Sequence, residues 1–238
     1  MRLRTPQNWD FFCDIYPIKT KLQKMELVAT LSETIRERLK TERIVCVEAT
    51  LDEYFDELDG IEKENFKIEY AFETIFASMS QASEPHETIV ANLIWALNNH
   101  YRLKDDFRVL ASGRIVFSPD CKQAYNPDAI VVKGETELFP RRKKIAAMTN
   151  PYLIVEVQSD STNDIDIFEK LPCYKSFDSV TQIVYVAQRR PFVSVYTKNQ
   201  DQLHWINEDY RSMETTVKVD GFEIAMKDIY RKIAFPKK

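Results

Sequence analysis

Two short apolar runs in this chain each carry an acid where a core residue belongs. Asp128 opens Ala129-Ile130-Val131-Val132, and Glu156 sits inside Leu153-Ile154-Val155-Glu156-Val157. Both runs are short and β-branched, which predicts strands instead of helices. Side chains alternate along a strand, so Ile154, Glu156 and Gln158 share one face and Leu153, Val155 and Val157 the other. A run apolar on both faces is a buried strand, and an unpaired carboxylate inside it is costly. A cation must therefore meet Glu156. Downstream, Ser161-Thr162-Asn163-Asp164 predicts a helix start, with Asp166 and Lys170 four residues apart on one helical face. Two acids on neighbouring strands with a lysine nearby suit a hard divalent cation and a phosphodiester. A buried Glu156–Lys170 ion pair without metal satisfies the same residues, and both readings stand at this level.

The order and register of these blocks resemble the PD-(D/E)xK nuclease superfamily. Within it they resemble the Uma family, whose members are described as restriction-type endonucleases. The resemblance is carried by Pro127-Asp128, by Pro151 to Ser159 around Glu156, and by Ser161-Thr162, Asp166, Lys170 and Tyr174. It extends from about Thr50 to about Thr197. Three positions depart from the family pattern. Gln158 stands where the family has Leu, Ile167-Phe168 replace Arg-Gly, and Pro172 interrupts a helix that should continue. In many superfamily members the lysine lies two residues after the Glu. Gln158 fills that slot here, which makes Lys170 a migrated substitute.

The resemblance implies a Mg²⁺- or Mn²⁺-dependent DNA endonuclease. Asp128 and Glu156 would be the metal ligands, with a backbone carbonyl near Val157, and Lys170 and Gln158 would complete the catalytic set. Asp166, His86 and Glu73 are candidates for a second layer or a phosphate contact. Glu73 lies where the family has a Gly-Glu pair, the Gly being Phe72 in this chain. Arg141-Arg142-Lys143-Lys144 is the one basic run and lies between the two acidic strands, a candidate grip on the DNA backbone. The implied partners are DNA and a divalent metal, with a homodimer left open. The alternative is a catalytically inactive nuclease-fold module that binds DNA or a protein partner. Convergence of Asp128, Glu156 and Lys170 separates the two.

The rest of the chain sets the frame for that site. With 238 residues, 44% hydrophobic, the chain can bury a real core. Net charge is −4, so a DNA contact must come from a local patch and not from the whole surface. Cys13, Cys46, Cys121 and Cys173 are scattered without a C-x-x-C pair, which predicts neither a zinc site nor a disulfide framework. Reduced thiols in a cytoplasm are the expected state, and no apolar run is long enough for a membrane span.

Periodicity predicts an amphipathic helix over 19–40 and an extended segment at Ile44–Val47. Thr50 and Glu53 form a capping box ahead of a helix ending at Leu58. Phe66 to Ser78 reads as a strand or hairpin on a sheet edge, and Ser83-Glu84-Pro85 opens a helix running to Tyr101. Phe107 to Phe117 reads as one long strand, bulged at Ser112-Gly113. Strands at Gln182–Val186 and Phe192–Tyr196 form a hairpin, with an edge strand after Leu203. The fold class is α/β with an α+β mixed sheet. The resemblance sharpens this to a restriction-endonuclease-like core of helix, three strands, helix, strand, with an N-terminal helical extension. The expected division is 1–48 for the arm and amphipathic helix and 49–238 for the nuclease domain.

Overall fold

The structure, a computed structural model, describes residues 30–61, 64–79, 82–111, 113–140, 146–158, 169–201 and 203–235. Residues 31–238 form one compact unit. The described elements begin with α1 (Leu31–Arg38), β1 (Ile44–Glu48), α2 (Leu51–Leu58), β2 (Phe66–Ala71), β3 (Thr74–Met79) and α3 (Glu84–Tyr101). There follow β4 (Phe107–Ala111), β5 (Val116–Ser118), β6 (Gln123–Tyr125), β7 (Ala129–Lys133), β8 (Pro151–Gln158) and α4 (Leu171–Ser176). The chain closes with β9 (Gln182–Ala187), β10 (Val193–Lys198), β11 (Trp205–Tyr210), β12 (Thr216–Val219), β13 (Phe222–Ala225) and α5 (Met226–Ile229).

Two sheets carry the architecture. The larger runs β11-β10-β9-β8-β7-β4 and is antiparallel except for the parallel pair β8/β9. A parallel pair cannot be joined by a tight turn, and α4 lies in the connection between β8 and β9. Leaving out β5 and β6, the order α3, β4, β7, β8, α4, β9 reproduces the helix, three strands, helix, strand expected from sequence. The smaller sheet runs β1-β3-β2-β6-β5, all antiparallel.

The strand alternation read from sequence is what sorts the core. Leu153, Val155 and Val157 face the cluster built with Ile89, Leu93 and Leu97 of α3. Ile154 joins Ile130, Ile183 and Tyr185 against Leu171, Cys173 and Tyr174 of α4. That second cluster also takes in Ala71, Val116 and Tyr125 of the smaller sheet. Glu156 therefore lies on the side of β8 where the two sheets and α4 meet.

Local signals account for most element ends. The Thr50 side chain accepts the Glu53 N–H while the Glu53 carboxylate takes the Thr50 N–H at 2.7 Å. Ser83 caps α3, with Pro85 in its first turn, where a missing N–H costs nothing. Pro172 sits likewise in the first turn of α4, preceded by a wide π-type turn at Glu169–Lys170. The helix start expected at Ser161-Thr162-Asn163-Asp164 lies outside the described residues, and the turn at Glu169–Lys170 runs directly into α4.

Two expectations are corrected. Phe107–Phe117 is not one bulged strand: β4 belongs to the larger sheet and β5 to the smaller. Gly113, at φ +99, lies between them, in a conformation that a side chain rarely adopts. The Phe66–Ser78 hairpin is not an edge, since β2 and β3 are both interior strands of the smaller sheet. The N-terminal helix is described only as Leu31–Arg38, its expected upstream part (19–29) lying outside the described residues.

Candidate active site

Asp128 and Glu156 come from directly adjacent strands, with no strand between them. Ala129 pairs with Val155, and the Asp128 N–H donates to the Val155 carbonyl at 3.1 Å, which extends the β7/β8 ladder by one residue. Both acids are buried, Asp128 at 7% and Glu156 at 4% relative exposure. Two hydrogen bonds hold Asp128. Its Oδ2 accepts the Val157 N–H at 2.7 Å and lies 3.2 Å from His86 Nε2, brought in on the first turn of α3. Burial pushes the Asp128 carboxyl up, but His86 and the Val157 N–H outweigh it and hold the group below its ordinary value. The same pair raises His86: burial opposes its charge, and the contact with Asp128 wins.

The cation required by Glu156 is present. Lys170 Nζ lies 3.5 Å from Glu156 Oε1, which also accepts the Tyr174 hydroxyl at 2.6 Å. Lys170 stands at the N-terminal boundary of α4 and Tyr174 one turn further, so one helix end delivers both. The shorter ion pair of Lys170, however, is with Glu69 Oε1 at 3.0 Å. Glu69 lies on β2 and was not among the residues singled out from sequence. The same Glu69 oxygen accepts the Asn126 N–H at 2.9 Å, and Asn126 Nδ2 donates to the Ile68 carbonyl at 2.8 Å. Glu69 thus ties the Asn126-Pro127-Asp128 turn to β2 and to Lys170. Burial would raise its carboxyl, yet Lys170, Lys67 and the Asn126 N–H keep it below its ordinary value. The Lys170 ammonium also lies 5.5 Å from the centre of the Tyr125 ring.

The remaining candidates are distributed unevenly. Gln158 is buried at the end of β8, and its Nε2 has no hydrogen-bond partner among the described residues. His86 Nδ1 is likewise buried without one among the described residues, although Glu87 lies 3.6 Å away. Glu73 does not reach the cluster. It occupies, with Phe72, the two-residue turn of the β2/β3 hairpin and is exposed. Both turn residues have positive φ, 53° and 56°, as a type I′ turn demands. Asp166 and Arg141, Arg142, Lys143 and Lys144 lie outside the described residues.

Three carboxylates, Asp128, Glu156 and Glu69, meet one lysine and one histidine in direct contact, with Lys67 close enough to lower both Asp128 and Glu69. The donors are hard oxygens of the kind that Mg²⁺ takes through one or two carboxylates, its other positions filled by water and phosphate. Asp128 Oδ1 makes no hydrogen bond to the described residues, which leaves that oxygen for an ion. The residues therefore fit a sparsely ligated divalent ion. No group of three or more His, Cys, Asp and Glu among the described residues could hold an ion by itself.

Comparison with known proteins bears on the same residues. A model of the Uma2 family, described as "Putative restriction endonuclease", matches residues 51–227, well over half of the chain. No curated protein matches. Among solved structures, the chain is similar to the crystal structure of "a putative nuclease belonging to DUF820" from Anabaena variabilis ATCC 29413. The TM-score is 0.58 at 17% identity, over 76% of this chain and 97% of that one, a likeness of fold.

Proposed function

The chain belongs to the Uma2 family of restriction-endonuclease type, and from that premise we propose that it is a divalent-metal-dependent endonuclease that hydrolyses phosphodiester bonds in DNA. The observation that carries the reading is the junction of Asp128, on the strand next to Glu156, with Lys170 at 3.5 Å from Glu156. In this reading Asp128 and Glu156 hold Mg²⁺ or Mn²⁺. When bound, the ion polarises a phosphoryl oxygen and lowers the pKa of its water.

The chain's own residues do the rest. Lys170 places a positive charge in a buried pocket, where it neutralises charge that grows on the phosphate in the transition state. Glu69 holds that ammonium in position, and Tyr174 fixes the Glu156 carboxylate by donating to the same oxygen that Lys170 approaches. His86 orients Asp128 through Nε2. Gln158 offers an amide N–H donor to an attacking water or a phosphate oxygen. Arg141 to Lys144, with Asp166 near Lys170 in sequence, are proposed to act at the periphery, the basic run on the DNA backbone.

A second reading is favoured by one observation. Lys170 lies closer to Glu69 than to Glu156, the arrangement of a buried structural network in a non-catalytic binding module. Incubation of supercoiled plasmid with purified protein, with Mg²⁺, with Mn²⁺ and with chelator, separates the two. Nicked or linear product that requires the ion supports the nuclease. Intact plasmid under all three conditions, with retained DNA binding, supports the module.

A further inference from the structure

Away from the acids, two cysteines and two serines close on each other behind α4. Cys121 lies in the turn between β5 and β6, and Cys173 on α4. Ser118 Oγ and Ser176 Oγ are 2.9 Å apart, and Cys121 Sγ lies 3.2 Å from Ser176 Oγ. The Cys121 N–H donates to Ser118 Oγ at 3.3 Å, and Ser176 Oγ donates to the Cys173 carbonyl at 2.7 Å. Cys121 packs against the buried cluster that holds Cys173, close enough for each thiol to act on the other. They differ in access: Cys121 is partly exposed, whereas Cys173 is 2% exposed.

We propose that Cys121 and Cys173 form a thiol–disulfide exchange site for small disulfides, with Cys121 the attacking sulfur and Cys173 the resolving one. The geometry gives each its role, since of the two Cys121 is the one approached from solvent, and among the described cysteines Cys173 is the one packed with it. Electrostatics point the same way. Hydrogen bonds from Cys173, Ser176 and Ser118 pull the Cys121 thiol down to about 6 against its burial. The hydrogen bond to Cys121 and burial push Cys173 up. The nucleophile is the thiolate, so Cys121 reacts first.

The chemistry balances with a low-molecular-weight disulfide as the oxidant. The Cys121 thiolate attacks one sulfur of RSSR, forming a mixed disulfide and expelling RS⁻, which takes up a proton. Cys173 then gives up its proton and attacks Cys121 Sγ, expelling the second thiolate. Two protein thiols are oxidised and one RSSR is reduced to two RSH. The new bond ties the β5–β6 turn to α4, the helix whose Tyr174 holds Glu156 and whose start carries Lys170. Oxidation therefore pins one wall of the acid site.

The test uses the full chain, reduced, freed of reductant, and incubated with glutathione disulfide at pH 7 before acid quenching and peptide mapping. The expected result is loss of two thiols per chain, a Cys121–Cys173 cross-linked peptide, and Cys46 still reduced. Cys173→Ser is expected to stop at a glutathione adduct on Cys121, and Cys121→Ser to react roughly tenfold slower or less. A wild-type chain that keeps its thiols, carries a stable adduct on Cys121, or cross-links through Cys46 would overturn the assignment. The wild-type map decides the matter even where a variant folds poorly.

Discussion

Lys170 lies between two carboxylates, 3.0 Å from Glu69 and 3.5 Å from Glu156, and all three side chains are largely shielded from water. Removing the lysine takes away the cation that two buried acids share, leaving Glu69 its Asn126 N–H and Glu156 its Tyr174 hydroxyl. Lys170→Met should therefore cost about 3–5 kcal/mol of stability. Glu69→Gln in the same background relieves one of the stranded charges, so a double-mutant cycle should show coupling of about 1–3 kcal/mol. Urea melts of the four proteins measure it, and additive losses would mean that Glu69 and Lys170 do not interact. The need for a cation beside Glu156 was legible because a lone acid in an apolar run has few ways to be satisfied. Glu69 was not legible. It follows an alternation normal for any half-exposed strand, and only the meeting of two sheets gives it a role. His86 gives the pH dependence. Its folded value is raised above the ordinary 6.5, so its pairing with Asp128 is fully present below about pH 6.5. That contribution is lost as pH rises through the raised value. In chelator, the wild-type melting temperature should fall across this window, and His86→Gln should flatten that fall. An unchanged slope in the variant would remove His86 from the pairing.

Among the elements, the β2/β3 hairpin holds a conflict between sequence and geometry. Its two-residue turn places Phe72 and Glu73 at positive φ, where an ordinary side chain costs roughly 1–2 kcal/mol. Sequence placed the hairpin's existence correctly and its position wrongly, because no Asn-Gly signal marks the turn and nothing local reveals which strands flank it. Replacing the pair, Phe72→Asn with Glu73→Gly, should raise stability by about 1–2 kcal/mol, or roughly 3–6 °C in melting temperature. A lowered melting temperature would show that exposed Phe72 makes a contact worth more than the strain. The helix at Glu84–Tyr101 was legible in full, since Ser83, Pro85 and the apolar face all agree. Phe107–Phe117 was not, because a chain that passes from one sheet to another keeps its alternation and changes only its partners.

At the scale of the molecule, the restriction-endonuclease-like core is carried by six consecutive elements once the smaller sheet is set aside. The residues alone gave an α/β class with a mixed sheet, and the resemblance sharpened it to this order of core elements. The smaller sheet was missed as a unit because pairing between distant strands leaves no local trace. Its role is nevertheless specific, since it brings Glu69 and Tyr125 to Lys170. With a net charge of −4, the chain as a whole does not attract DNA. Changing Arg141, Arg142, Lys143 and Lys144 together to Ala should weaken DNA binding and flatten its salt dependence by up to about four ions' worth of slope. An unchanged slope would assign the run to solvent.

If Asp128 and Glu156 bind an ion while Lys170 acts on the phosphate, Lys170→Ala and Glu156→Gln must differ in two assays on the same folded samples: Mn²⁺ titration calorimetry and plasmid cleavage. Lys170→Ala should bind Mn²⁺ nearly as wild type does and cleave about 10²–10³-fold more slowly. Glu156→Gln should lose both binding and cleavage. Equal loss of both properties in the two variants, or wild-type protein that binds no Mn²⁺ and leaves plasmid intact, would contradict the assignment.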